Sequence, residues 1–140
     1  MPSLSGGRLL IVDDNHINLM VAEGLCQKLG YETEVAESGM EAIAVLMSTQ
    51  QSFDQILMDC EMPDMDGFET SRSIIKLQQE GRLPWIPIVA LTAHAVPDKI
   101  AACHDAGMVA HLAKPINKAR LLATLKQVLR DPGKGSRDRA

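Results

Sequence analysis

The sequence predicts an α/β protein, a parallel sheet with helices packed on both of its faces. Three observations carry this. Short apolar runs alternate with longer stretches of helical periodicity, giving five strand–helix units. The runs at Leu9–Val12, Ile56–Met58 and Ile88–Leu91 are nearly continuous in apolar residues, as strands covered on both faces must be. The length, 140 residues, fits one domain of this kind.

Taken in order, the first strand, Leu9 to Val12, runs straight into Asp13, Asp14 and Asn15. Ile17, Val21, Leu25 and Leu29 then recur every four residues and predict the apolar face of a first helix, ended by Gly30. A second strand over Glu32–Ala36 carries charges, which predicts a sheet edge. Ser38 and Glu41 have capping-box spacing ahead of a second helix through Ala42, Ile43, Val45, Leu46 and Met47. The third strand, Gln55 to Met58, delivers Asp59 at its C-terminal end, and a loop with Pro63, Asp64, Asp66 and Gly67 leads to a helix reaching Glu80.

Pro84 and Pro87 frame the approach to the fourth strand, Ile88 to Leu91, which ends at Thr92. A fourth helix is expected from Pro97, a good first-turn residue, to Ala106, with Gly107 as its stop. A short fifth strand near Val109–Ala113 ends at Lys114-Pro115. Asn117 caps a last helix with Leu121, Leu122, Leu125, Val128 and Leu129 at helical spacing. Residues 1–7 read as a flexible leader, 8–130 as the folded domain and 131–140 as a flexible tail.

Composition narrows the function. The net charge is −4, and the basic residues concentrate only between Lys134 and Arg139, so direct nucleic-acid binding is not expected. No apolar run approaches a membrane span, and Met1 to Gly7 lacks the apolar core of a signal peptide. Cys26, Cys60 and Cys103 are scattered, with no C-x-x-C pair, and read as reduced thiols in a cytoplasmic protein. His16, His94, His104 and His111 lack a compact ligand spacing, which argues against zinc. His94 is expected at the mouth of the site and His104 on the surface of the fourth helix.

In an open parallel sheet, ligands bind beyond the carboxyl ends of the strands. That rule brings Asp13, Asp14, Asp59, Thr92 and Lys114 to one edge, although 100 residues separate the first from the last. Three close carboxylates repel and either raise one another's pKa or take a cation. Hard oxygen ligands suit Mg²⁺. A carboxylate can also serve as a nucleophile toward phosphorus, giving an aspartyl-phosphate. Mg²⁺ and the Lys114 ammonium would then neutralise charge, and the Thr92 hydroxyl would hydrogen-bond a phosphoryl oxygen. Taken singly the same residues have plainer readings. Asp13-Asp14 would cap a helix, Asp59 would be a strand-end acid, Lys114 an exposed loop lysine and Thr92 a turn cap.

Five segments together resemble the receiver domains of two-component signalling: Val12-Asp13-Asp14-Asn15, Met58-Asp59-Cys60-Glu61-Met62-Pro63, Met65-Asp66-Gly67, Leu91-Thr92-Ala93 and Lys114-Pro115. The resemblance implies a doubly wound, flavodoxin-like sheet of order 2-1-3-4-5 with about five helices over 8–130. It implies Asp59 as phosphoacceptor. Mg²⁺ would be held by Asp14, Asp59 and the backbone carbonyl of Glu61, with Asp13 acting through the metal's water shell. Lys114 would contact the phosphoryl group, and Thr92 would move toward it after transfer. In that family the positions held here by Glu61 and His94 influence how long the phosphate survives.

Asn18 after Asp-Asp-Asn, Met-Asp-Cys-Glu-Met-Pro and Leu-Thr-Ala-His-Ala are similar to receivers of hybrid histidine kinases. That implies a sensor histidine kinase or a histidine phosphotransfer domain as partner. It leaves two origins, a receiver within such a kinase, which could itself be attached to the inner membrane, or a single-domain regulator. One position departs from the family: His111 stands where receivers carry Tyr or Phe three residues before the lysine. A magnesium-dependent aspartyl-phosphate phosphatase is the enzyme alternative, with Glu61 at the spacing of its general acid, but its Asp-x-Asp-x-Thr signature is missing. A receiver fold that no longer takes phosphate is the other.

Overall fold

A computed structural model describes residues 7–48, 53–62, 66–93 and 96–130, with side chains to Val128. Five strands, β1 (Gly7–Val12), β2 (Tyr31–Ala36), β3 (Gln55–Asp59), β4 (Ile88–Thr92) and β5 (Ala110–Ala113), form one sheet. All neighbours are parallel and the order is β2-β1-β3-β4-β5. The helices between and after them are α1 (His16–Lys28), α2 (Gly39–Ser48), α3 (Gly67–Gln79), α4 (Pro97–Asp105) and α5 (Lys118–Arg130). The charged strand β2 lies at an edge, as its composition predicts, whereas all of β3 and β4 is buried.

Successive residues of a strand point to opposite faces, and the core divides accordingly. Leu10, Val12, Ile56, Met58, Ile88 and Ala90 pack with Ala42 and Leu46 of α2, Ile74 of α3 and Cys103 of α4. Leu9, Ile11, Leu57, Val89, Leu91 and Leu112 pack with Leu19, Ala22 and Cys26 of α1 and Leu121, Leu125 and Val128 of α5. Burying each Leu or Ile stabilises the fold by roughly 1.5–3 kcal/mol.

Helix ends follow the expected chemistry. Ser38 Oγ accepts from Glu41 N–H, while the Glu41 carboxylate accepts from Glu37 N–H rather than from the cap residue itself. Asn117 Oδ1 accepts from Arg120 N–H at the start of α5. Gly30 and Gly107 follow α1 and α4 at φ 96° and 91°, a region that other residues enter at a cost.

One expectation fails. The four-residue stride Ile17, Val21, Leu25, Leu29 is not the buried face of α1: Ile17 is 69% and Val21 52% exposed, and Leu25 and Leu29 are only partly buried. The face that meets the sheet is Leu19, Ala22 and Cys26. At 3.6 residues per turn, a stride of four drifts by roughly 40° per step, so the stripe winds from solvent toward the core. In α5, Leu121, Leu125 and Val128 are buried as expected and Leu122 is half-buried. Expectations for Pro63, Asp64, His94, the side chain of Leu129, residues 1–6 and residues 131–140 lie outside the described residues.

Candidate functional site

Strand register builds the site. Val12 pairs with Met58, which sets Asp13 level with Asp59 on the neighbouring strand. Asp59 pairs with Leu91, and Thr92 with Ala113, so Thr92 and Lys114 each follow one step beyond. The backbone then holds these ends in place. Asp13 N–H donates to Ala36 O, Cys60 N–H to Leu91 O and Lys114 N–H to Thr92 O. Lys114-Pro115 is a cis peptide bond. Asp13 Oδ1 accepts from Asn15 N–H at 2.9 Å while Asn15 Oδ1 caps α1, so the turn that starts the helix also fixes the acid.

The five predicted residues converge. One carboxylate oxygen from each of Asp13, Asp14 and Asp59 lies within 4.8 Å of the others. Asp13 and Asp59 are buried, whereas Asp14 is exposed to solvent. Lys114 Nζ donates to Asp59 Oδ1 at 2.8 Å and lies 3.3 Å from Asp13 Oδ2. Glu61 N–H also donates to Asp59 Oδ1, at 3.2 Å. Burial pushes the Asp59 carboxyl up to about 7, with the nearby Asp13 charge adding and Lys114 opposing. The Lys114 ammonium is held above its ordinary range by its two acidic neighbours, against the effect of burial. The acids therefore carry more negative charge than one lysine balances. Such an all-oxygen donor set, open on the Asp14 side, suits a small hard divalent cation such as Mg²⁺.

The far side of the site belongs to Glu61. Its carboxylate accepts from Thr92 Oγ1 at 3.3 Å and from Ala93 N–H at 3.4 Å, and it lies 3.6 Å from Lys99 Nζ on α4. Motif reading missed Lys99, because nothing in sequence marks a lysine in the first turn of α4 as facing the loop after β3. It also missed that Cys60 and Cys103, 43 residues apart, place their sulfurs 3.8 Å apart. Burial is the largest cause raising both thiols, which favours their protonated, unreactive form.

Gly67, a loop residue of the Met65-Asp66-Gly67 segment in the sequence, has a positional role: a Cβ there would lie 2.8 Å from Cys60 Cα and collide with the carbonyl of Asp59. A cleft of about 160 Å³ beside the acids has Asp13, Lys114, Asn18, Val21, Pro115 and Ile116 in its wall. A larger one of about 510 Å³, by Ile75, Gln78, Gln79 and Trp85, contains none of the site residues. His111 is half-buried on β5, and His104 is exposed on α4.

Residues 9–126 match the response regulator receiver domain. The chain belongs to the response-regulator receiver family. It is 39% identical over 127 residues to hybrid signal transduction histidine kinase L of Dictyostelium discoideum, which covers 90% of this chain and 7% of that protein. The receiver spans 5–16% of the length of this and similar curated relatives. Among solved structures, the receiver domain of the Pseudomonas aeruginosa sensor histidine kinase PA1611, with magnesium coordinated in its active-site cleft, superposes at TM-score 0.73 and 38% identity. That alignment covers 86% of this chain and 94% of that one. The receiver of the Arabidopsis thaliana histidine kinase CKI1, complexed with Mg²⁺ and BeF₃⁻, gives TM-score 0.76 and 34% identity over 89% and 92% of the two chains. The protein is thus a receiver domain of two-component phosphorelay signalling, homologous to those of hybrid histidine kinases. Among the described residues, no helix is long and apolar enough to cross a membrane.

Proposed function

We propose that this receiver accepts a phosphoryl group on Asp59 from a phosphohistidine and hydrolyses the product slowly. The observation that carries the reading is the buried Asp59 carboxylate, fixed by Lys114 and facing two further acids at one open sheet edge. A carboxylate oxygen of Asp59 attacks phosphorus while the P–N bond to the donor imidazole breaks and the ring leaves as a neutral base after taking a proton. Asp14, Asp59 and the Glu61 carbonyl would hold Mg²⁺, with Asp13 behind its water shell, and the ion would neutralise charge on the phosphoryl oxygens. Lys114 steadies the same oxygens, and Thr92 hydrogen-bonds one of them once it has arrived. The cytoplasm is the compartment that suits such a relay.

The partner we infer is a helical domain carrying the phosphohistidine, either a sensor kinase or a phosphotransfer domain. Ile17, Met20 and Val21 on the outer face of α1 are exposed, and Val21 also lines the cleft that holds Asp13 and Lys114. An apolar rim of this kind fits a partner helix laid beside the acids. The test is transfer from a prephosphorylated histidine phosphotransfer domain. Asp59→Ala should abolish it. Met20→Asp, outside that cleft, should slow it at least about tenfold, the scale of one lost interface anchor, while labelling by acetyl phosphate stays at the wild-type rate. Transfer to Asp59→Ala at the wild-type rate would refute the acceptor assignment.

A further inference from the structure

Glu61 stands two residues after the phosphoacceptor, yet its carboxylate is aimed across the site rather than at the acids. Both oxygens are engaged, Oε1 with Ala93 N–H and Oε2 with Thr92 Oγ1 and Lys99 Nζ. These are the hydroxyl and the adjoining N–H at the end of β4 that a phosphoryl oxygen on Asp59 would need. An anion already occupies them, and it belongs to the protein. We propose that Glu61 is an internal stand-in for the phosphoryl group, a positioning residue that holds the β4 end and α4 in the unmodified arrangement and must be displaced when Asp59 is phosphorylated.

The inference rests on Asp59 being the phosphoacceptor. Three features make the contact one that gives way. Its hydrogen bonds are 3.3 and 3.4 Å long, beyond the usual range for a charged acceptor, and so are weak. The Glu61–Lys99 pair is about one third exposed on each side, where water screens it. A phosphoryl group brings close to two negative charges and three strong acceptor oxygens, so it repels the Glu61 carboxylate and competes for the same donors. Lys99, whose ammonium also lies 5.6 Å from the Phe68 ring centroid, is then released from Glu61. The change at Asp59 thereby reaches α4 through a named pair of side chains.

The test titrates beryllofluoride into the Mg²⁺-loaded protein and follows backbone amides by NMR, for wild type, Glu61→Ala and Glu61→Gln. Glu61 is partly exposed rather than a core residue, and dispersed spectra report that each variant folds. Glu61→Ala should bind about three- to tenfold more tightly, the factor carried by one net hydrogen bond no longer to be broken. Before any ligand is added, its Ala93 amide should already be shifted toward the position seen in the beryllofluoride-bound wild type. Glu61→Gln keeps one acceptor oxygen and should fall between the two. Equal tightening in both variants with an unmoved Ala93 amide would mean simple loss of charge and would overturn the proposal, as would unchanged affinity in Glu61→Ala. Failure of the wild type to bind beryllofluoride would instead remove the phosphoacceptor reading itself, and this inference with it.

Discussion

Burial and charge pull in opposite directions at Asp59. Removal from water raises its carboxyl to about 7 against an ordinary 3.8, although Lys114 donates to it at 2.8 Å. The folded chain therefore binds this proton more tightly than the unfolded chain does. The stability contributed is fully present below about pH 4 and is lost as pH rises through 7. Asp59→Asn, which never ionises, should melt higher than wild type at pH 8 in a chelator, by about 5 °C, a shift on the order of 1 kcal/mol for a domain of this size. The difference should shrink toward pH 5. A gap of the same size at both pH values, or of opposite sign, would contradict this account of the carboxyl. The same imbalance gives the site its use, since a carboxylate made costly by burial gains most from a cation and from a covalent phosphoryl group.

At the scale of elements, the start of α3 closes on the end of β3. Gly67 N–H donates to Cys60 O, and the absence of a side chain at Gly67 lets the helix approach the backbone of Asp59 and Cys60. Gly67→Ala should cost about 1–3 kcal/mol, the usual range for overpacking against atoms that cannot yield. It should also lower phosphorylation of Asp59 more than a surface substitution of equal thermodynamic cost. Urea unfolding and acetyl phosphate labelling measure the two effects, and a stable, normally labelled variant would show that the approach has room to relax. The helices also mark where pattern reading loses resolution. Strand ends could be placed from the sequence because an apolar run, followed by an acid or hydroxyl, is a local signal. The buried face of α1 could not, because Ile17 and Val21 share a stripe with Leu25 while the sheet selects Leu19, Ala22 and Cys26.

Across the whole molecule, parallel register converts distant sequence into one site. Asp13, Asp59, Thr92 and Lys114 were legible as a group because each ends or directly follows a strand, and every strand of this parallel sheet ends at the same edge. Contacts between a loop and a helix surface were not. Glu61 meets Lys99, and Cys60 meets Cys103, only because α4 lies with a particular rotation beside the loop that follows β3, and no residue spacing encodes that angle. The central claim concerns Asp59 and is tested most directly by intact-mass spectrometry after brief incubation with acetyl phosphate and Mg²⁺. We expect one added phosphoryl group on the wild-type chain, none when the metal is chelated, and none on Asp59→Ala. An adduct that persists in Asp59→Ala, or a wild-type chain that gains no phosphoryl group and binds no beryllofluoride, would contradict it.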